Sequence, residues 1–211
     1  MRPAALLFVT PGCVHCAAVK QALATLVREG AVAQVIEVDA TQQPELAAQH
    51  GVRSAPWLEM GPFTLSGAQT LAELRQWAAW AESEAGTAHY LEHLLRGGEF
   101  THARAFVVAD AARLQVLLAM LADTELGIDV RLGVSALLER YAGHARLQAL
   151  IPELSEMTRH ADHRVRADAA HLLGLTGSAA ARKPLELLRV DEHEEVREIA
   201  HEALAALAHA D

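Results

Sequence analysis

Apolar and polar positions alternate in two different ways along this 211-residue chain, and the change comes near residue 84. Before it, short apolar runs are interleaved with helical stripes. Residues 4–9 (Ala-Ala-Leu-Leu-Phe-Val) read as a buried strand, and Thr10-Pro11-Gly12 as a turn. Val19, Leu23, Leu26 and Val27 then stand at i, i+4, i+7 and i+8, one stripe of a helix. Residues 32–39 predict a second buried strand, and residues 44–50 a short helix stopped by Gly51. Strands over 57–60 and 63–66 follow, separated by a Gly61-Pro62 turn. A helix over about 70–84 closes the segment, with Leu71, Leu74, Ala78 and Ala81 on one stripe.

Beyond Glu84 the strand signals stop. Ala85-Gly86-Thr87 reads as a hinge, and helical period takes over. Val130-Arg131, Val165-Arg166 and Val196-Arg197 begin three alignable segments. Their positions i+4, i+7 and i+8 are Val134, Leu137, Leu138, then Ala169, Leu172, Leu173, then Ala200, Ala203, Leu204. Pro152 and Pro184 fall at matching points before the second and third, near helix starts, where a missing N–H does no harm. Gly143 and Gly177 mark matching breaks. Such self-similarity marks stacked units that cannot bury their apolar faces alone. The region over 88–123 adds two helices without the motif.

Composition agrees with this division. Apolar residues make up 52 % and aromatics only 4 %, as expected of Ala/Leu-rich helices around small cores. The net charge of −9 is shared, with −3 before residue 85 and −6 after it, and no basic stripe forms. Nucleic acid and anionic membrane are therefore poor partners. No apolar run approaches the roughly 20 residues of a membrane span. The first strand starts by Ala4, which leaves no room for a cleavable leader; with a CxxC pair, this places the chain in the cytoplasm as an expectation.

The chemistry lies in Cys13-Val14-His15-Cys16, which holds the chain's two cysteines. They fall where the first strand hands over to the first helix. A helix N-terminus favours negative charge and lowers a thiol's pKa, and the thiolate is the nucleophile of disulfide exchange. Two intervening residues put both sulfurs on one side of the first turn, within bridging range. Cys13 would attack, Cys16 would resolve the mixed disulfide, and His15, when protonated, would stabilise the Cys13 thiolate. Inert thiols and a zinc half-site are the alternatives. Zinc needs four ligands, and no second cysteine pair is present.

The element order, with CxxC after the first strand and Gly51-Val52-Arg53-Ser54-Ala55-Pro56 before the third, resembles a small thioredoxin-like domain. The resemblance implies that Pro56 is the family's cis-proline beside the disulfide and that Ala55 presents its backbone to an extended client peptide. It also implies thiol–disulfide exchange with no cofactor. Two departures stand out: Leu7 occupies the place of the buried Asp of thioredoxins, as in the glutaredoxin-like branch, and Val14-His15 replaces Gly-Pro. Arg53 and Lys20 are the only basic candidates for a glutathione site. The Pro-x-x-Leu…Asp…Val-Arg pattern resembles the short HEAT-like repeats of phycobilin lyases. Together these give two domains, an α/β thioredoxin-like fold over 1–84 and an all-α HEAT-like array over 85–211.

Ten of twelve histidines follow Glu84. His89 with His93, and His160 with His163, are close pairs, but one His201-Glu202 dipeptide cannot build a two-metal site, so surface histidines without metal are expected. Arg131, Arg166 and Arg197 invite a ligand reading; capping, or bridging to an acidic residue of a neighbouring turn, is the expectation. Trp77 and Trp80 read as packing at the domain junction. Two functions follow. One is a thiol–disulfide oxidoreductase acting on protein disulfides, with the helical array as client or partner docking platform. The other is a helical-repeat interaction protein whose CxxC domain is a docking module or redox sensor.

Overall fold

A computed structural model describes residues 2–81 and 83–208. The protein is mixed α/β, with one four-stranded sheet and many helices. It divides into two compact units, one ending at Tyr90 and the other beginning at Leu91. Among the described residues, no helix is long and apolar enough to cross a membrane.

The first unit runs β1 (Ala5–Val9), α1 (Val14–Glu29), β2 (Val35–Asp39), α2 (Pro44–Gln49), β3 (Trp57–Met60), β4 (Phe63–Ser66) and α3 (Leu71–Trp80), followed by the start of α4 (Glu84–Arg96). Strand order is β2-β1-β3-β4, with β1 parallel to β2 and antiparallel to β3, and β4 antiparallel to β3. The register puts Ala5, Met60 and Phe63 in one row and Leu7, Leu58 and Leu65 in the next, all at most 1 % exposed. Side chains two apart share a face, so this face is apolar across β1, β3 and β4, while on edge strand β2 Glu37 stands in the Leu7 row. The face packs on the stripe Val19, Leu23, Leu26 of α1 and on Leu74, Trp77 and Ala78 of α3; the Phe63 and Trp77 rings meet at 5.4 Å. The other face carries Phe8 against Val38 and Ala47, with Leu46 and Val52 alongside.

Strand β2, expected to be buried, is an edge strand that starts at Val35 and leaves Ile36 51 % exposed. A continuous apolar run cannot tell an edge from a centre, because that depends on which strand pairs with its outer side. The predicted hinge at residues 85–87 is helical. Gly86 is buried there, and a Cβ on it would stand 2.0 Å from the Trp80 carbonyl oxygen, so close approach, not flexibility, explains the glycine. The last predicted helix of this segment accordingly ends at Trp80, and a new one begins at Glu84. Trp77 packs inside this first unit, against Phe63, Trp80 and Tyr90.

The second unit contains α5 (Phe100–Ala109), α6 (Arg113–Ala122), α7 (Ile128–Glu139), α8 (Ala145–Gln148), α9 (Ile151–Met157), α10 (His163–Leu175), α11 (Arg182–Leu188) and α12 (Glu194–Ala208). Val130, Val134, Leu137 and Leu138 of α7 are buried, as are Val165, Ala169, Leu172 and Leu173 of α10 and Val196, Ala200 and Ala203 of α12. Pro152 and Pro184 lie in the first turns of α9 and α11, and Gly143 and Gly177 take φ of 70° and 60°, a left-handed conformation that ends a helical stretch cheaply. The three recurrent arginines do one job. Arg131 donates twice to the Leu121 carbonyl, Arg166 to those of His160 and Ala161, and Arg197 to those of Asp191 and Glu192. Arg131 satisfies a carbonyl in the last turn of α6, and Arg166 and Arg197 satisfy carbonyls of the loops that lead into their own helices, so each guanidinium ties the preceding segment to its helix.

Candidate functional site

Cys13 is the N-cap of α1, at the end of the turn that leaves β1, and is bonded to Cys16 with Cα atoms 5.4 Å apart. The Cys16 N–H donates to Cys13 Sγ at 3.1 Å. That is the position of a side-chain cap, filled here by sulfur in place of the usual Ser, Thr or Asp oxygen. An N–H aimed at this sulfur, at the positive end of a 16-residue helix, stabilises negative charge there when the disulfide opens. The two sulfurs differ in access: Cys13 is half-buried, whereas Cys16 is 5 % exposed. Val14 beside them is 79 % exposed, an apolar side chain in solvent on the rim of the disulfide. His15 is exposed in the first turn and has no hydrogen-bond partner among the described residues.

Phe8 pairs with Trp57, so the segment entering β3 and the segment leaving β1 lie at the same end of the sheet. Ala55 and Pro56 are therefore brought to the end that carries the disulfide. The Ala55–Pro56 bond is cis; Pro56 is buried and Ala55 half-buried. The Pro56 carbonyl accepts from the Gly67 N–H at 2.9 Å, extending the β3–β4 ladder by one bond and anchoring the loop. Arg53 and Ser54 are exposed on that loop. Lys20 is committed elsewhere, in an ion pair with Glu37 at 2.7 Å. Leu7 is fully buried, so that position of β1 supplies an apolar wall and no proton acceptor. The His50–Glu59 pair, 2.8 Å apart and half-buried on the α2 side of the sheet, carried no signal in the sequence.

A second feature lies in the helical unit. Helices α7, α10 and α12 line a cleft of about 650 Å³. Its apolar side includes Ile128 and Leu132, 70 % and 64 % exposed, together with Leu175 and Ile199. Arg131 faces Asp168 there at 3.3 Å, and burial pushes the Asp168 carboxyl up while the Arg131 charge pulls it down. Glu195 and Glu202 line the cleft with no ion-pair partner among the described residues.

The histidines sort differently from their sequence spacing. His89 stacks on Trp80 at 4.1 Å, and His163 stacks on His193 at 3.7 Å with rings within 3° of parallel. Among the described residues no group of three or more His, Cys, Asp or Glu is placed to hold a metal ion. No family model and no curated protein matches the chain.

Proposed function

We propose that the protein is a thiol–disulfide oxidoreductase acting on protein disulfides through a thioredoxin-like domain, with the HEAT-like helical unit as its client docking platform. One observation carries the reading: a vicinal pair in which the half-exposed Cys13 caps a helix and the buried Cys16 stands one turn behind it. In the reducing direction, the Cys13 thiolate attacks one sulfur of a client disulfide. A Cys13–client bond forms and the client's other sulfur leaves as a thiolate. Cys16 then attacks Cys13 Sγ, closes the Cys13–Cys16 bond and expels the second client thiolate. Two electrons and the two thiol protons pass to the client, and the reverse sequence oxidises a dithiol.

The Cys16 N–H and the α1 dipole hold charge on Cys13 throughout, and His15, when protonated, adds to them. Exposed Val14 gives an apolar contact for the client, and the Ala55–Pro56 loop gives an extended backbone a partner. The cleft of α7, α10 and α12 supports the platform: its apolar floor beside Glu195 and Glu202, which have no ion-pair partner among the described residues, suits a client segment bearing both apolar and basic side chains.

The test is trapping. Cys16→Ser should accumulate client adducts that dithiothreitol releases, and Cys13→Ser should accumulate none. Equal adduct formation by the two variants, or none by either in an oxidised lysate, overturns the exchange mechanism and leaves the interaction-protein reading.

A further inference from the structure

The chain carries 27 acidic and 18 basic residues, yet one group of its arginines gathers away from carboxylates. Three of them line one cleft of about 380 Å³ in the helical unit: Arg104 from α5, Arg140 at the end of α7, and Arg146 in α8. All three are exposed, and none has an ion-pair partner among the described residues. The dipole at the C-terminus of α7 accounts for Arg140 alone. Arg104 sits mid-helix, and Arg146 lies in the single turn of α8, too short for a helix dipole to hold it. Like charges gathered in this way repel and weaken the fold unless an anion joins them.

The remaining polar groups in the cleft are donors too. The Tyr141 hydroxyl oxygen is buried with no hydrogen-bond partner among the described residues, a costly state that a ligand atom relieves. His144 accepts the Arg146 N–H through Nδ1 at 3.1 Å, which puts the proton of the neutral ring on Nε2, so that the free nitrogen also donates. Among the described residues no carboxylate lines the cleft. Its wall is apolar: Val108, 56 % exposed, stands four residues along α5 from Arg104, with Val107 and Leu137 behind.

We propose that this cleft binds a phosphate monoester carried on a small apolar group. A monovalent carboxylate would leave two of the three cations uncompensated. A phosphate dianion offers three acceptor oxygens for guanidinium, hydroxyl and imidazole donors, and arginine's fork suits it. The volume fits a small molecule, and the valine side gives the ester's apolar part a surface.

Phenyl phosphate, phenol and inorganic phosphate, titrated into the 211-residue chain and followed by amide chemical shifts, test this. Saturable shifts near Arg104, Val108, Tyr141 and Arg146 are expected for phenyl phosphate. Phenol and inorganic phosphate should each bind at least about ten-fold more weakly. Arg140→Gln should weaken phenyl phosphate about ten-fold or more, whereas Arg189→Gln, an equal loss of charge at a residue paired with Glu186, should leave it unchanged. Absence of saturation, shifts elsewhere, or equal loss in both variants overturns the site. Inorganic phosphate binding as well as the ester overturns the apolar half.

Discussion

Arg166 and Asp191 meet in a two-pronged ion pair, Nε to Oδ2 at 2.8 Å and Nη2 to Oδ1 at 2.9 Å, with both side chains 8 % exposed. The same guanidinium binds the His160 and Ala161 carbonyls, so one side chain ties α10 to the segment before it and to the one after α11. The Arg166 hydrogen bonds hold the Asp191 carboxyl below the usual carboxylate range. Asp191→Asn leaves that buried cation short of its partner and should cost about 3 kcal/mol at neutral pH. A depressed carboxyl contributes stability above its unfolded value, about 3.9, and loses it as pH falls through the lower folded value. The gap between wild type and Asp191→Asn in urea unfolding should therefore be full at pH 7 and shrink below about pH 4. A gap that stays constant down to pH 2 contradicts the assignment.

Tyr90 closes the free edge of β4. Its hydroxyl accepts the Thr64 N–H at 2.9 Å and donates to the Thr64 carbonyl at 2.8 Å, so both groups point away from β3. An unpaired edge is a template for association with other chains. Tyr90→Phe keeps the buried ring and strands two backbone groups, which should cost about 1–3 kcal/mol. Denaturant midpoints would measure this, and the Thr64 amide should exchange faster in the variant than in the wild type.

Gly86 admits no side chain. Gly86→Ala gains up to about 1 kcal/mol of helix propensity at an exposed site, yet here it must push the Trp80 carbonyl aside. The net outcome should be destabilisation by about 1–3 kcal/mol, the usual cost of overpacking. A variant as stable as wild type would mean that the turn between α3 and α4 yields freely.

In the reduced protein, Cys13 should alkylate faster than Cys16 and with a pH midpoint below that of a free thiol. Its cause is the helix end and the Cys16 N–H at 3.1 Å. Iodoacetamide rates against pH, with the modified cysteine located by peptide mapping, would measure both. A midpoint at or above the free value removes the basis for Cys13 as nucleophile.

Local order was legible in the residues alone. Strands β3 and β4 occupy the residues predicted for them, since alternation and the Gly61-Pro62 turn are properties of neighbours along the chain. The buried stripes of α7, α10 and α12 follow their sequence period for the same reason. The CxxC pair and its helix-end setting were equally local. What could not be read depends on residues far apart: that β2 is an edge strand, that Gly86 answers to Trp80, that Arg166 spends its charge on Asp191, and that Arg104, Arg140 and Arg146 share a cleft. Periodicity reports which face of an element is apolar. Only folding decides what stands opposite that face, and pairing, burial and charge compensation are all relations between opposites.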